Sequence, residues 1–170
     1  MEHKEEENKF LIFKVINEEY ACNILQIKEV IKCKNIKPIP FMVPYFKGIL
    51  NLRGKIISII DFRIKLLPNL ENTENEGIIL VVENELITIG VIVDDLISVT
   101  SIIENEIQKN KDMKYSIDSK FILGNYIYKD KLVTVLDLIS SINEEDLKII
   151  KENDNLKLSM NMWGFNYEEY

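Results

Sequence analysis

The chain has one histidine, His3, and it sits in an acidic leader. A Ser-His-Asp or Cys-His arrangement built on it would have to work from a terminal tail. Cys22 and Cys33 are the only cysteines; they lack C-x-x-C spacing and lie among apolar residues, so they read as plain buried thiols. The six glycines form neither G-x-x-x-x-G-K-[ST] nor G-x-G-x-x-G, so no phosphate cradle is present. No apolar run approaches the roughly 20 residues needed to span a bilayer. The leader Met1–Asn8 lacks the basic and then apolar regions of a signal peptide, which points to the cytoplasm and away from membrane insertion. Nor is there a basic stripe. Net charge is −7, with −2 from residues 1–9 and −2 from residues 151–170, leaving −3 for the rest, which argues against nucleic-acid binding. No catalytic residue, cofactor or resident metal is expected; the chain is expected to bind rather than react.

The chain does hold an apolar share of 46%, enough for a core in one domain or two small lobes, and a pattern stated twice. Residues 46–62 and 122–138 superpose without a gap at an offset of 76, which lays Gly48 on Gly124, Lys55 on Lys131 and Asp61 on Asp137. Upstream, residues 10–22 match 79–91 at an offset of 69, and Ile24, Ile27 and Val30 then fall on Val93, Leu96 and Val99. The difference, 76 − 69 = 7, sits in a variable connector. An internal repeat is one supersecondary unit used twice, so two similar lobes are expected, with halves at about 9–76 and 77–150.

Within each half the order is strand, turn, strand, connector, glycine-marked hairpin and Asp. Phe10–Ile16 and Tyr20–Ile24 form a hairpin around Asn17–Glu19. Residues 24–31 fit either a short helix or a bulged strand. Pro38, Pro40 and Pro44 impose an extended loop. Gly54 supplies a positive φ in the turn after Arg53, and Lys129-Asp130-Lys131 holds the same place in the second half. Residues 69–77 and 105–120 are polar loops. Asn143, followed by Glu144, Glu145 and Asp146, starts a helix anchored by Leu147 and Ile150.

Short strands at close spacing predict a mainly β fold of two small β-barrels sharing a hydrophobic seam, with a groove there for a partner. Asp61, Asp94, Asp95 and Asp137 follow apolar strands. They suggest either a carboxylate or metal site or, the blander reading, an Asp that caps the next turn in each half. A small ligand held between the lobes is the other alternative, although the seam offers mostly Ile, Val and Leu.

Three stretches carry a family resemblance: Glu19–Val30, Ile36–Pro40, and Gly48–Arg63 with its Asn51-Leu52-Arg53-Gly54 and Asp61-Phe62-Arg63. Together with Gly90–Asp94, Gly124 and Leu136-Asp137, they resemble the CheW-like coupling proteins of bacterial chemotaxis over about residues 9–150. The resemblance implies two SH3-like five-stranded barrel lobes with short helices, including one near the C-terminus. It implies a non-enzymatic adaptor that links the cytoplasmic tip of methyl-accepting chemoreceptors to the regulatory domain of the histidine kinase CheA, in arrays at the inner face of the membrane. The stand-alone adaptor fits best, because no kinase core or receiver segment is present. Ile27, Glu29, Gly48 and Arg53 match partner-binding positions, and Arg53 could instead pair with Glu29. A bulky residue at Gly48 is expected to act on coupling rather than folding. Gly54, Gly90 and Gly124 match structural glycines. Ser58 departs from the family, which usually has proline there. The aromatic-rich tail 151–170, with Trp163, Phe165, Tyr167 and Tyr170, has no family counterpart and could serve as a docking peptide, fold back over an apolar patch, or be disordered.

Overall fold

Ten strands form two five-stranded sheets in this computed structural model, which describes residues 7–40, 42–70, 76–109 and 119–152. Most of the acidic leader, parts of both polar loops and the aromatic tail lie outside the described residues. The strands are β1 (Glu7–Val15), β2 (Glu18–Asn23), β3 (Ile27–Lys32), β4 (Phe46–Leu52), β5 (Lys55–Asp61), β6 (Ile78–Glu83), β7 (Thr88–Val93), β8 (Asp95–Ile103), β9 (Ile122–Tyr128) and β10 (Lys131–Leu136). Helix α1 spans Phe62–Leu66, and residues 144–152 form a second helix, α2.

The sheet orders are β8-β1-β2-β10-β9 and β3-β6-β7-β5-β4. Replacing each strand of the first half by its repeat partner (β1 by β6, β2 by β7, β3 by β8, β4 by β9, β5 by β10) converts one order into the other. The repeat is therefore real in three dimensions, but the lobes are not the halves. Each sheet takes a leading hairpin from one half and three strands from the other. Along the chain, the second barrel (β3 to β7) is continuous and the first barrel is wrapped around it.

Identical residues of the repeat make equivalent contacts. Lys131 Nζ reaches Glu19 Oε1 at 2.8 Å across the parallel pair β10–β2. Lys55 Nζ reaches Thr88 Oγ1 at 2.7 Å across the parallel pair β5–β7. Thr88 is the repeat partner of Glu19, since 19 + 69 = 88. Both glycine-marked hairpins turn on two residues with positive φ: Arg53 at 53° and Gly54 at 85°, Lys129 at 49° and Asp130 at 64°. This is the geometry that matches strand twist. Asn51 Oδ1 accepts from Gly54 N–H at 2.8 Å, which explains the Asn of Asn-Leu-Arg-Gly.

Three apolar layers follow from strand parity. Phe10, Ile12, Ala21, Ile102, Val133 and Val135 fill the first barrel. Leu50, Ile57, Ile59, Ile79, Val81 and Ile92 fill the second. The alternate residues of the same strands, among them Phe13, Tyr20, Leu80, Val82 and Val91, meet in the shared seam. This is why β1, β6 and β7 are apolar on both faces. Tyr20 stacks on Phe13 at 6.1 Å between ring centroids and meets Phe62 edge-on at 6.3 Å, tying α1 to the first barrel.

Residues 24–31 combine both readings of their pattern: a 3₁₀ turn, Ile24–Gln26, then β3 with a bulge between Ile27 and Glu29. The first turn falls at Ile16-Asn17 rather than Asn17–Glu19. Ile16 adopts φ 59°, unusual for a β-branched residue. Its N–H donates to Asp94 Oδ2, and Asp94 N–H donates to Lys14 O at 3.0 Å, so the junction of β7 and β8 fixes this turn. Helix α2 starts as its sequence indicates, with Asn143 and Asp146 capping each other reciprocally at 2.8 and 2.9 Å. Asp146 also pairs with Lys65, which docks α2 on α1.

Candidate interaction surfaces at the barrel mouths

Each barrel is completed by one backbone bridge between the segment after its edge strand and the opposite edge. In the second barrel Lys37 and Ile49 exchange both backbone hydrogen bonds at 2.9 Å. In the first barrel Gln108 and Asn125 do the same at 2.9 and 2.8 Å. Immediately before each bridge sits a repeat glycine with positive φ: Gly48 at 134° and Gly124 at 152°. A Cβ on Gly48 would lie 2.0 Å from Lys37 O, and one on Gly124 would lie 2.7 Å from Gln108 O. The geometry thus gives Gly48 a closure role that its motif position does not reveal.

Ile27 and Glu29 lie on the edge strand β3, both half-buried, with Val30 beside them 42% exposed. Arg53 stands on the β4–β5 turn, and its Nη2 lies 3.0 Å from Glu29 Oε2. Of the four partner-binding candidates, Glu29 and Arg53 therefore meet at one end of the second barrel, whereas Ile27 packs on the shared seam. Gly48 lies further along β4, inside the closure. Gly54 has open space around it. Gly90 instead faces the barrel interior, where a Cβ would meet Ile59 Cδ1 at 2.5 Å and Ile79 Cγ2 at 2.7 Å. Val99, the repeat partner of Val30, is 50% exposed on β8, so each lobe presents one valine on the corresponding edge strand.

The strand-end carboxylates act as caps. Asp61, fully buried, accepts from Arg63 N–H at 3.0 Å at the start of α1, and from Arg63 Nε and Nη2 at 2.9 Å each. Arg63 also reaches Asp94 Oδ1 at 3.3 Å. Burial lowers the Arg63 pKa, but the hydrogen bond and charge of Asp61 outweigh it and hold the guanidinium above its ordinary value. Asp137 accepts from Ser140 N–H at 3.1 Å, from Ser140 Oγ at 2.7 Å and from Gln26 Nε2 at 2.7 Å. Gln26 returns a bond, accepting from Leu138 N–H at 3.0 Å. Each cap is thus tied to the other half of the chain, by Asp94 in one case and Gln26 in the other. Gln26 was not singled out from sequence, and Arg63 entered only as part of the Asp61-Phe62-Arg63 motif, without this capping role. The Asp-x-Arg spacing puts the guanidinium back over its own cap.

Among the described residues no group of His, Cys, Asp and Glu is placed to hold a metal ion, and no helix is long and apolar enough to cross a membrane. Burial raises the Cys22 thiol to about 12, so this sulfur is a packing group.

Comparison with known proteins agrees with this architecture. The CheW-like domain model matches residues 9–146. Chemotaxis protein CheW of Bacillus subtilis (strain 168) is 31% identical over 143 residues, covering 81% of this chain and 88% of that protein. Chemotaxis protein CheW of Klebsiella aerogenes is 24% identical over 142 residues, covering 84% and 86%. The crystal structure of the scaffolding protein TtCheW from Thermoanaerobacter tengcongensis superposes with a TM-score of 0.72 at 29% identity, covering 86% of this chain and 94% of that one. With the family model matching most of its length, and with its paired five-stranded sheets, the chain belongs to the CheW-like domain family.

Proposed function

We propose that this protein is a non-enzymatic adaptor of chemotaxis signalling. It couples the cytoplasmic tip of methyl-accepting chemoreceptors to the regulatory domain of the histidine kinase CheA, within arrays at the inner face of the membrane. The observation that carries this reading is the family match over residues 9–146, joined to strand-end carboxylates, Asp61 and Asp137, that serve as caps. Ile27, Glu29 and Arg53 are the contact residues of this reading, and Val30, 42% exposed on the alternate face of β3, is a further apolar candidate. A salt bridge with one exposed member and a neighbouring apolar side chain is a typical rim-and-anchor arrangement for a protein partner.

The test is a pull-down of the full chain with a receptor cytoplasmic tip and with a CheA regulatory domain, together and separately. Ternary recovery that falls in Glu29→Lys and Val30→Asp variants, at unchanged melting temperature, is the expected outcome. Recovery of neither partner by the wild-type chain would overturn the reading.

A further inference from the structure

Beyond its closing bridge, the second barrel stays open between β3 and β4, leaving a cleft of ≈ 490 Å³. Its floor is apolar: Ile31, Ile36 and Leu52 are half-buried and pack on the barrel interior. Its rim carries the exposed lysines Lys32, Lys34 and Lys37, and among the described residues no acidic side chain lines it. In a chain of net charge −7 this is a local cationic site. Such a cleft suits an apolar group flanked by anions, and its volume is that of a small-molecule or side-chain pocket.

The chain itself contains a segment of that chemistry. Residues 153–170 carry Trp163, Phe165, Tyr167 and Tyr170, with Asp154, Glu168 and Glu169 against Lys157, a net charge of 1 − 3 = −2. They follow directly on α2, whose Leu147, Ile149 and Ile150 share the seam with Ile39, Met42, Val43 and Tyr45. Those last four belong to the loop that continues from Lys37 at the cleft rim. Trp163 lies 163 − 152 = 11 residues beyond the last described residue of α2. An extended chain of that length spans up to about 36–40 Å. Aromatic side chains deliver large contact area at low entropic cost, and the acids beside them match the lysine rim.

We propose that segment 153–170 docks in this cleft, an aromatic ring on the Ile31–Ile36–Leu52 floor and Glu168 and Glu169 against the lysines. It would be an internal ligand that any protein binding the same face has to displace. The proposal does not depend on the coupling role.

Trp163 is the only tryptophan, so tryptophan emission, excited selectively over tyrosine, reports on this segment alone. At low salt its emission is expected to be blue-shifted from that of a solvated indole and poorly quenched by iodide. A Lys32→Glu/Lys34→Glu variant should red-shift the emission and raise the quenching constant several-fold, with far-UV circular dichroism and melting temperature unchanged. Glu168→Lys/Glu169→Lys, which touches no described contact, should do the same. Raising the salt concentration should move the wild type in that direction. Solvent-like emission in the wild type at low salt would overturn the proposal. So would a blue shift indifferent to both double variants, or one lost on dilution, which would make the occupant a second copy.

Discussion

Arg53 Nη2 lies 3.0 Å from Glu29 Oε2, joining the tip of the β4–β5 hairpin to the edge strand β3. The Arg53 side chain is 80% exposed and that of Glu29 21%. Exposed pairs of this kind contribute about 0–1 kcal/mol. Arg53→Ala is therefore expected to cost less than about 1 kcal/mol in denaturant unfolding. A double-mutant cycle with Glu29→Gln should give a coupling energy within that range. A loss of several kcal/mol would show the pair to be far better shielded than its exposure indicates.

Arg63 is the contrasting case. Its side chain is 9% exposed, and Asp61 beneath it is fully buried. Removing one member of a buried pair strands the other charge and typically costs about 3–5 kcal/mol. Arg63→Ala should lose that much in chemical unfolding, and Asp94→Asn should lose less, since Asp94 is 30% exposed. Equal losses for Arg63→Ala and Arg53→Ala would contradict this ranking.

Gly48→Ala brings a methyl group to 2.0 Å from Lys37 O at a φ of 134°. Left-handed strain alone is about 1–3 kcal/mol and overpacking adds a similar amount. The variant should melt well below the wild type, with the loss centred on the Lys37–Ile49 bridge in amide hydrogen exchange. Gly48→Trp is subject to the same clash, so a coupling defect in it is not separable from opening of the barrel. Normal stability in Gly48→Ala would return Gly48 to a pure surface role.

Glu83 sets an acid limit. Lys28 Nζ lies 2.6 Å from each of its carboxylate oxygens, Thr88 Oγ1 at 2.6 Å and Lys55 Nζ at 3.7 Å. The hydrogen bonds from Lys28 and then Thr88 depress its pKa from 4.5 to about 2. A depressed carboxylate is charged in the fold where the unfolded chain is already protonated. Its contribution is therefore complete above 4.5 and disappears as the pH falls toward about 2. Glu83→Gln should flatten the loss of stability across that window, measured by urea unfolding at successive pH values. Identical slopes for the variant and wild type would detach Glu83 from acid unfolding.

What the sequence revealed was whatever repeats or recurs locally. The offsets of 76 and 69 disclosed the duplicated unit, and Gly54 and Asn143 marked a turn and a helix start because their chemistry is short-range. The assignment of strands to lobes was not visible. A repeat states which strands are alike, whereas pairing is decided by parity across a seam, where Leu80 and Val82 read no differently from Ile79 and Val81. Ile16 was missed as a turn residue because the force that holds it there comes from Asp94, 78 positions away. Ser58, buried with no hydrogen-bond partner for its hydroxyl among the described residues, is a polar group in β5 that sequence could only mark as unusual.

The nesting of one barrel inside the other also fixes an order of events during synthesis. Once Val93 has left the ribosome, all five strands of the second barrel are available. The hairpin of β1 and β2, made first, still has both outer edges bare, since its neighbours β8 and β10 arrive last. For that interval the nascent chain presents an apolar ribbon bearing Phe10, Ile12 and Phe13, the kind of unpaired edge that recruits other chains. The oldest part of the polypeptide thus belongs to the sheet that is completed last.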